Sequence, residues 1–292
     1  MSLTISGIIL ILKPDIKVSS EKMSNISIII DDGPISRAYL KLFLDKGYKF
    51  KKIFYLTNFY LSKNFSIFLN SYKNNFHPVR FLKNKNLYKL IEQFQNYFGF
   101  EQNFCFEMYL MKLTENFDIN IISSANINSN KVIEELNKSE DTFYLNTTKQ
   151  ILKNSGLFNH KFIHIHPGYL PHIRGMDGSL WNYYVRSKFG VSSFIMSQKI
   201  DKGEVILREE LDPKEFIFPI YKSFNGDEIR RIWFSFFDPL LRAYHLKNLI
   251  KKTNFFSTIE YEKNFDENES SYFSKIDEKK QTLVFDKIFL KN

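Results

Sequence analysis

The segment Ile26-Ser27-Ile28-Ile29-Ile30 is β-branched apart from Ser27, and it stops at Asp31-Asp32-Gly33-Pro34. A short apolar run without polar alternation reads as a strand covered on both faces, and such strands belong to parallel sheets. Pro34 has no backbone N–H, and its ring presets φ for a first helical turn, so Gly33-Pro34 reads as cap and start of a helix. Helical spacing follows over Ala38 to Leu44, Gly47 closes it, and Lys52–Leu56 is a second strand. A β-α-β opening commits a chain to a sheet with helices packed against it. The fold class this predicts is α/β, a Rossmann-like, mostly parallel sheet with helices on both faces.

The rest of the chain supplies further elements of the same kinds. Tyr60–Tyr72 and Leu87–Tyr97 carry helical spacing, and His77–Phe81 reads as a short strand. Asp118–Ser123 is a strand, Asn130–Asn137 and Thr148–Ser155 are helices, and Lys161–His166 is the next strand. A Gly/Pro-rich loop leads to a helix near Leu180–Ser187 and to strands at Val191–Gln198 and Val205–Glu209. From Gly226 the pattern is helical, with Asp238-Pro239 as cap and first turn of a helix reaching about Lys251. There is no internal repeat. Residues 1–22 read as an N-terminal extension, Met23 as a natural start, 23–252 as the main domain, and 253–292 as a C-terminal appendage. The appendage opens polar and acidic and then offers a short strand at Thr282–Phe285, which fits docking on the main domain as a hairpin.

Composition bounds the setting. Cys105 is the single cysteine, so no disulfide scaffold forms within the chain and a reducing, cytoplasmic location is expected. The early apolar run Ile8–Leu12 is too short to span a bilayer and lacks the basic lead-in of a secretory signal. The 41 Lys and Arg against 32 Asp and Glu give a charge of +9, but the lysines are spread along the chain among asparagines. Without a dense basic stripe or a nucleic-acid motif, the charge favours neither nucleic acid nor membrane, and it suits an anionic small molecule. A homo-oligomer stays open.

Chemistry concentrates in Phe162-Ile163-His164-Ile165-His166-Pro167-Gly168-Tyr169-Leu170-Pro171-His172-Ile173-Arg174-Gly175. Side chains alternate along a strand, so His164 and His166 share one face with Phe162, while Ile163 and Ile165 take the other. Pro167 lacks the donor that a central strand needs, so the strand ends there and leaves both imidazoles at its carboxyl end. Ligand sites of open α/β sheets collect at that edge. No G-x-G-x-x-G follows the first strand, so a dinucleotide is not expected.

This stretch resembles the 10-formyltetrahydrofolate-dependent formyltransferase family, which includes glycinamide ribonucleotide, methionyl-tRNA and sugar N-formyltransferases. The family pattern is a strand ending N-x-H, a loop ending L-P-x-x-R-G, and a later aspartate in D-x-G. Here His166, Leu170-Pro171 with Arg174-Gly175, and Asp201-Lys202-Gly203 match it, and His164 replaces the asparagine. The resemblance spans about residues 25–250 and is specific from 162 to 206. It implies formyl transfer from 10-formyltetrahydrofolate to the amine of a small acceptor, with a nucleotide-linked amino sugar as the leading class. It also implies His164, His166 and Asp201 as catalytic residues, with Gly168, Tyr169, Leu170, Pro171, Arg174, Gly175 and Gly203 binding substrate or cofactor and no metal. On that reading His164 donates to the formyl oxygen in place of the asparagine, and His166 donates or moves the amine proton. Asp201 orients His166, holds its protonated form or relays the proton through water, and Gly203 gives room beside the pterin. A methionyl-tRNA acceptor is disfavoured, because only some forty residues follow the last helix. Water as acceptor stays open. Two other readings stand beside this one. His164 and His166 can chelate zinc, with Asp201 or His172 completing a hydrolase site, or the scaffold can bind ligand without turnover.

Overall fold

Why Ile28, Ile29 and Ile30 are all buried is explained by their place in the middle of a seven-stranded sheet. The structure is a computed structural model that describes residues 22–58, 84–105, 117–262 and 269–290. In chain order its first half comprises β1 (Lys22–Met23), β2 (Ser27–Ile30), α1 (Pro34–Asp45), β3 (Tyr48–Lys49), β4 (Ile53–Leu56), α2 (Lys85–Tyr97), β5 (Ile119–Ile122), α3 (Asn130–Asn137), β6 (Phe143–Asn146) and β7 (Lys161–His166). There follow β8 (Arg174–Gly175), α4 (Gly178–Arg186), β9 (Phe189–Ile195), β10 (Val205–Leu211), α5 (Gly226–Ile232), α6 (Asp238–Lys252), β11 (Tyr272–Phe273) and α7 (Glu278–Phe289).

The sheet runs in the order β10-β9-β7-β6-β2-β4-β5. Pairing is parallel from β7 through β5 and antiparallel where β9 joins β7 and β10 joins β9. Ile28 and Ile30 point into the larger core under α1 and α6, whereas Ile29 and Phe162 point into a second core beneath α3. Both faces are thus covered, as the isoleucine run requires. Each fully buried Ile, Leu or Phe contributes roughly 1.5–3 kcal/mol. Local chemistry sets the helix starts. Gly33 caps α1 with Pro34 in its first turn, Asn84 and Ser129 cap α2 and α3, and Asn225 and Glu228 form a capping box on α5.

Several expectations change. Thr148–Ser155 is not a helix. Asn146 Oδ1 accepts from the Thr148 N–H, Asn128 Oδ1 from Lys153 and Asn154, and Gln150 bonds Ile127 and Ala125, so amide side chains take the bonds that a helix needs. A short 3-10 turn at Ser155–Asn159 follows instead. β6, in the preceding segment, is a strand that the pattern did not announce. Asp238 is no cap, because it lies in helical geometry inside a run that passes from α5 through a π-type segment, Trp233–Phe237, into α6. Pro239 cannot donate to the ladder, and the wider π register sits where that bond is missing. Thr282–Phe285 lies within α7 and forms no hairpin. Val284, Phe285, Ile288 and Phe289 are buried at helical spacing, and Asp277 caps the start. The expected docking of the tail is present, through α7 and through β11 paired to β8. The helix at Tyr60–Tyr72, the strand at His77–Phe81 and nearly all of the N-terminal extension fall outside the described residues. Among the described residues no helix is long and apolar enough to cross a membrane.

Candidate active site

β7 delivers both imidazoles to the carboxyl edge of the sheet, opposite Phe194 and Ser192 of β9. A cavity of about 710 Å³ opens there, and His164, His166, Gly175 and Asp201 are in its wall. That volume suits a ligand of cofactor size.

His166 is buried, with its Nε2 3.0 Å from the carbonyl oxygen of Ile173. A carbonyl only accepts, so Nε2 carries the proton and donates, and in the neutral ring Nδ1 keeps its lone pair. Nδ1 faces Asp201 Oδ2 at 3.6 Å. Two acceptors at that distance share no hydrogen bond of their own, but an N–H or water arriving from the cavity can reach both. Burial holds the pKa of His166 below the usual histidine value, while the Asp201 charge opposes that shift. His166 is therefore a neutral base at neutral pH, next to a carboxylate that favours its protonated form.

Asp201 itself adopts a left-handed backbone conformation, φ 51°, in the turn after β9. Its Oδ2 accepts the Gly175 N–H at 2.8 Å, which ties it to the loop after β7. Gly175 has φ 97°, and a side chain there would lie 2.1 Å from the Phe273 oxygen of β11. Only glycine fits that crossing.

His164 differs from its neighbour in every partner. Its Nδ1 lies 3.2 Å from the Asn146 carbonyl oxygen at the end of β6 and therefore donates. Its Nε2, left with a lone pair, faces Arg242 Nη1 at 3.5 Å. Burial and the Arg242 charge pull its pKa down to about 4. His164 thus meets the cavity as a neutral acceptor, which departs from the donor role expected of it.

Of the seven residues expected to touch ligand, Gly175 lines the cavity and the other six are not among its lining residues. A Cβ at Gly168 would fall 2.7 Å from His166 Nε2, so this glycine makes room for the ring. Tyr169 stacks on His172 and lies near the Arg186 and Arg208 guanidinium groups, and its N–H bonds Asn182. Leu170 is fully buried with its N–H on Ser192, and Pro171 follows it through a cis peptide. Arg174 is buried and uses its backbone in β8, while its Nε has no partner among the described residues. Gly203 packs against β9, where a Cβ would lie 1.6 Å from the Ile195 oxygen. Trp181 donates to the Ser274 carbonyl and stacks on Phe273, away from the cavity.

The sequence pattern missed other wall residues. Arg242 on α6 pairs with Asp238 at 2.8 Å and donates to the Ile165 carbonyl. The local signal was a charged pair four residues apart, Asp238 and Arg242, set among Leu240, Leu241 and Ala243 at the start of the helix. Lys149 and Arg231 add cationic side chains to the wall, Phe234 and Tyr272 aromatic ones. Arg230 also lines it, but pairs with Asp177, whose carboxylate accepts the Ile276 N–H as well.

The zinc arrangement is not formed. Among the described residues no group of three His, Cys, Asp or Glu side chains is placed to hold a metal ion. One ring nitrogen of each histidine is committed to a backbone carbonyl, and the other nitrogen of His164 faces a guanidinium. A cation gains little beside that group.

No family model and no curated protein matches the sequence. Among solved structures, the chain is similar to a sugar N-formyltransferase from a Shewanella species, at TM-score 0.46 and 15% identity over 87% of this chain and 77% of that one. It is similar to an N-formyltransferase from Helicobacter canadensis in complex with folinic acid and dTDP-3-aminofucose, at TM-score 0.45 and 14% identity over 87% and 71%. It is also similar to a 4-N formyltransferase from Francisella tularensis, at TM-score 0.44 and 14% identity over 86% and 77%.

Proposed function

We propose that this chain transfers a formyl group from 10-formyltetrahydrofolate to the amine of a small acceptor, in the reducing cytoplasmic setting that its single cysteine fits. The observation that carries this reading is the pairing of His166 Nδ1 with Asp201 Oδ2 at 3.6 Å on the wall of a cavity at the sheet's carboxyl edge. The motif L-P-x-x-R-G between these two residues supports it.

The cavity fits the donor by size and by lining. Phe194, Met196, Ile200 and Leu152 give it apolar wall for a flat ring, beside the polar groups of Asp201 and Gly175. A bound formyl donor supplies a carbonyl carbon that an amine can attack. His166 Nδ1 takes a proton from the attacking amine, and the imidazolium so formed is held by Asp201. Asp201 in turn is fixed through the Gly175 N–H, so it need not reorganise as the charge appears. An amine with two N–H bonds can address Nδ1 and Oδ2 together. The Lys149 and Arg231 side chains suit an acceptor that carries phosphate, in keeping with a nucleotide-linked amino sugar.

The test is incubation of purified protein with 10-formyltetrahydrofolate and a panel of dTDP- and UDP-linked amino sugars. Tetrahydrofolate release and the mass of the acceptor are both followed. Formylated acceptor is the expected result. Failure to bind 5-formyltetrahydrofolate, a stable mimic of the donor, would overturn the proposal.

A further inference from the structure

We propose that Arg242 stabilises the charge that develops on the formyl oxygen, and that His164 is its positioning residue and not itself the donor. This inference rests on the formyl-transfer reading and names the residue that performs its charge-stabilising part.

A donor to that oxygen needs an N–H bond directed into the cavity. The Nδ1 proton of His164 is occupied, because the Asn146 carbonyl can only accept it. Nε2 has a lone pair, and to donate it would have to become cationic at 3.5 Å from a guanidinium. That is the least favourable place for a second positive charge. An imidazole at this position therefore does not replace an amide in kind. It presents the acceptor end of the exchange.

The arginine beside it has the missing property. Guanidinium stays protonated throughout the working range and carries its donors in a rigid plane. Nε is fixed on Asp238 at 2.8 Å, and Asp238 is held in turn by Ser179. Nη1 is shared between the Ile165 carbonyl and His164 Nε2. Nη2 bonds no described residue, and Arg242 lines the cavity. Three of the five N–H bonds hold the group in place, and the remaining two are free for substrate. Such a preorganised donor gains most where charge appears only in the transition state. The balance is complete with groups already named. As the acceptor nitrogen bonds to the formyl carbon, the C=O electron pair moves onto oxygen beside Nη2. When the pair returns, the bond from carbon to the donor nitrogen breaks, and that nitrogen receives the proton taken up by His166.

The test combines kinetics with a measurement that needs no turnover. Arg242→Lys keeps the charge but loses the planar fork, and kcat for formyl transfer is expected to fall by about 10²–10³-fold. The Kd for 5-formyltetrahydrofolate should stay within about threefold. An R242K enzyme at full rate overturns the assignment while leaving the formyl-transfer reading intact. If wild-type protein forms no formylated product with any acceptor, both fall together. Histidine ¹⁵N spectra of the wild type should show His164 neutral at neutral pH, with its proton on Nδ1. A proton on Nε2 there overturns the assignment. Should R242K not fold, His164 variants decide. H164A is expected to lower kcat at least about tenfold, with H164N recovering most of the loss, since an amide oxygen can accept from Nη1. An H164N enzyme as slow as H164A places the imidazole itself in the reaction and overturns the proposal.

Discussion

Two imidazoles stand two residues apart on one strand face, yet they bring different capacities to the cavity because backbone carbonyls fix their protons on different nitrogens. His166 spends Nε2–H on Ile173 and offers Nδ1, whereas His164 spends Nδ1–H on Asn146 and turns Nε2 to Arg242. Only the first has a carboxylate in front of its free nitrogen. Asp201→Asn separates that charge from its structural bond, because the amide oxygen can still accept the Gly175 N–H. The expected result is a kcat lower by about 10²–10⁴-fold with an almost unchanged urea midpoint. The acid limb of kcat/KM should move to lower pH, since the Asp201 charge is the largest of the influences that raise the His166 pKa against burial. Steady-state profiles of the two proteins check both statements, and near-full activity would remove Asp201 from the mechanism. His164 predicts a stability effect of definite sign. Its pKa is lowered from 6.5 to about 4 in the folded state, so between those values the unfolded chain binds the extra proton. Stability is then present above the unfolded value and is lost as pH falls toward the folded one. Urea midpoints should therefore fall between neutral pH and pH about 5, and fall less in H164N.

At the scale of elements, the turn between β9 and β10 decides where Asp201 stands. Gly203 touches the backbone of β9 so closely that any Cβ would lie 1.6 Å from the Ile195 oxygen. Gly203→Ala must therefore shift the turn, and with it a carboxylate 3.6 Å from His166 Nδ1. A displacement of that kind is expected to cost on the order of 10²-fold in kcat, more than its effect on the thermal midpoint implies. Kinetics and melting of the alanine variant test this, and unchanged turnover would show that the turn does not set the carboxylate. The same turn shows what the sequence made legible. β2, α1 and β7 could be read because each depends on local chemistry: an isoleucine run, Gly-Pro, and a strand ended by Pro167. Asp201 was indicated only by the resemblance of its D-x-G segment to a family pattern. β6 was missed because Phe143–Asn146 is short and its burial depends on β2 and β7, which lie far from it in the chain. The helix expected at Thr148–Ser155 gave way to side-chain amides contributed by Asn128 and Gln150. Arg242 could not be connected to the site, since 78 residues separate it from His164.

On the scale of the whole molecule, the C-terminal segment holds the loop after β7 from outside. β11 pairs with β8, the Arg174 N–H donates to Ser271, and the Met176 N–H donates to Phe273. Tyr272 of the same strand lines the cavity. The segment is itself anchored by α7, whose Phe285 packs edge-on against Trp233 and near Phe289, at the π-type segment that leads into α6 and Arg242. Core and loop are thus linked through one short helix, and the two ends of the site share its support. Phe285 is 1% exposed, so Phe285→Ala leaves a cavity and should cost about 3–5 kcal/mol. If α7 steadies β11, the variant should also exchange the amides of Arg174 and Met176 faster under native conditions, before global unfolding. Its KM should rise more than its kcat falls, because Tyr272 and the Gly175 turn loosen while His166 stays on β7. Urea titration, hydrogen exchange at those two amides and steady-state kinetics measure the three effects. A destabilised variant whose loop amides exchange as slowly as in the wild type would mean that the tail stabilises the core without holding the site.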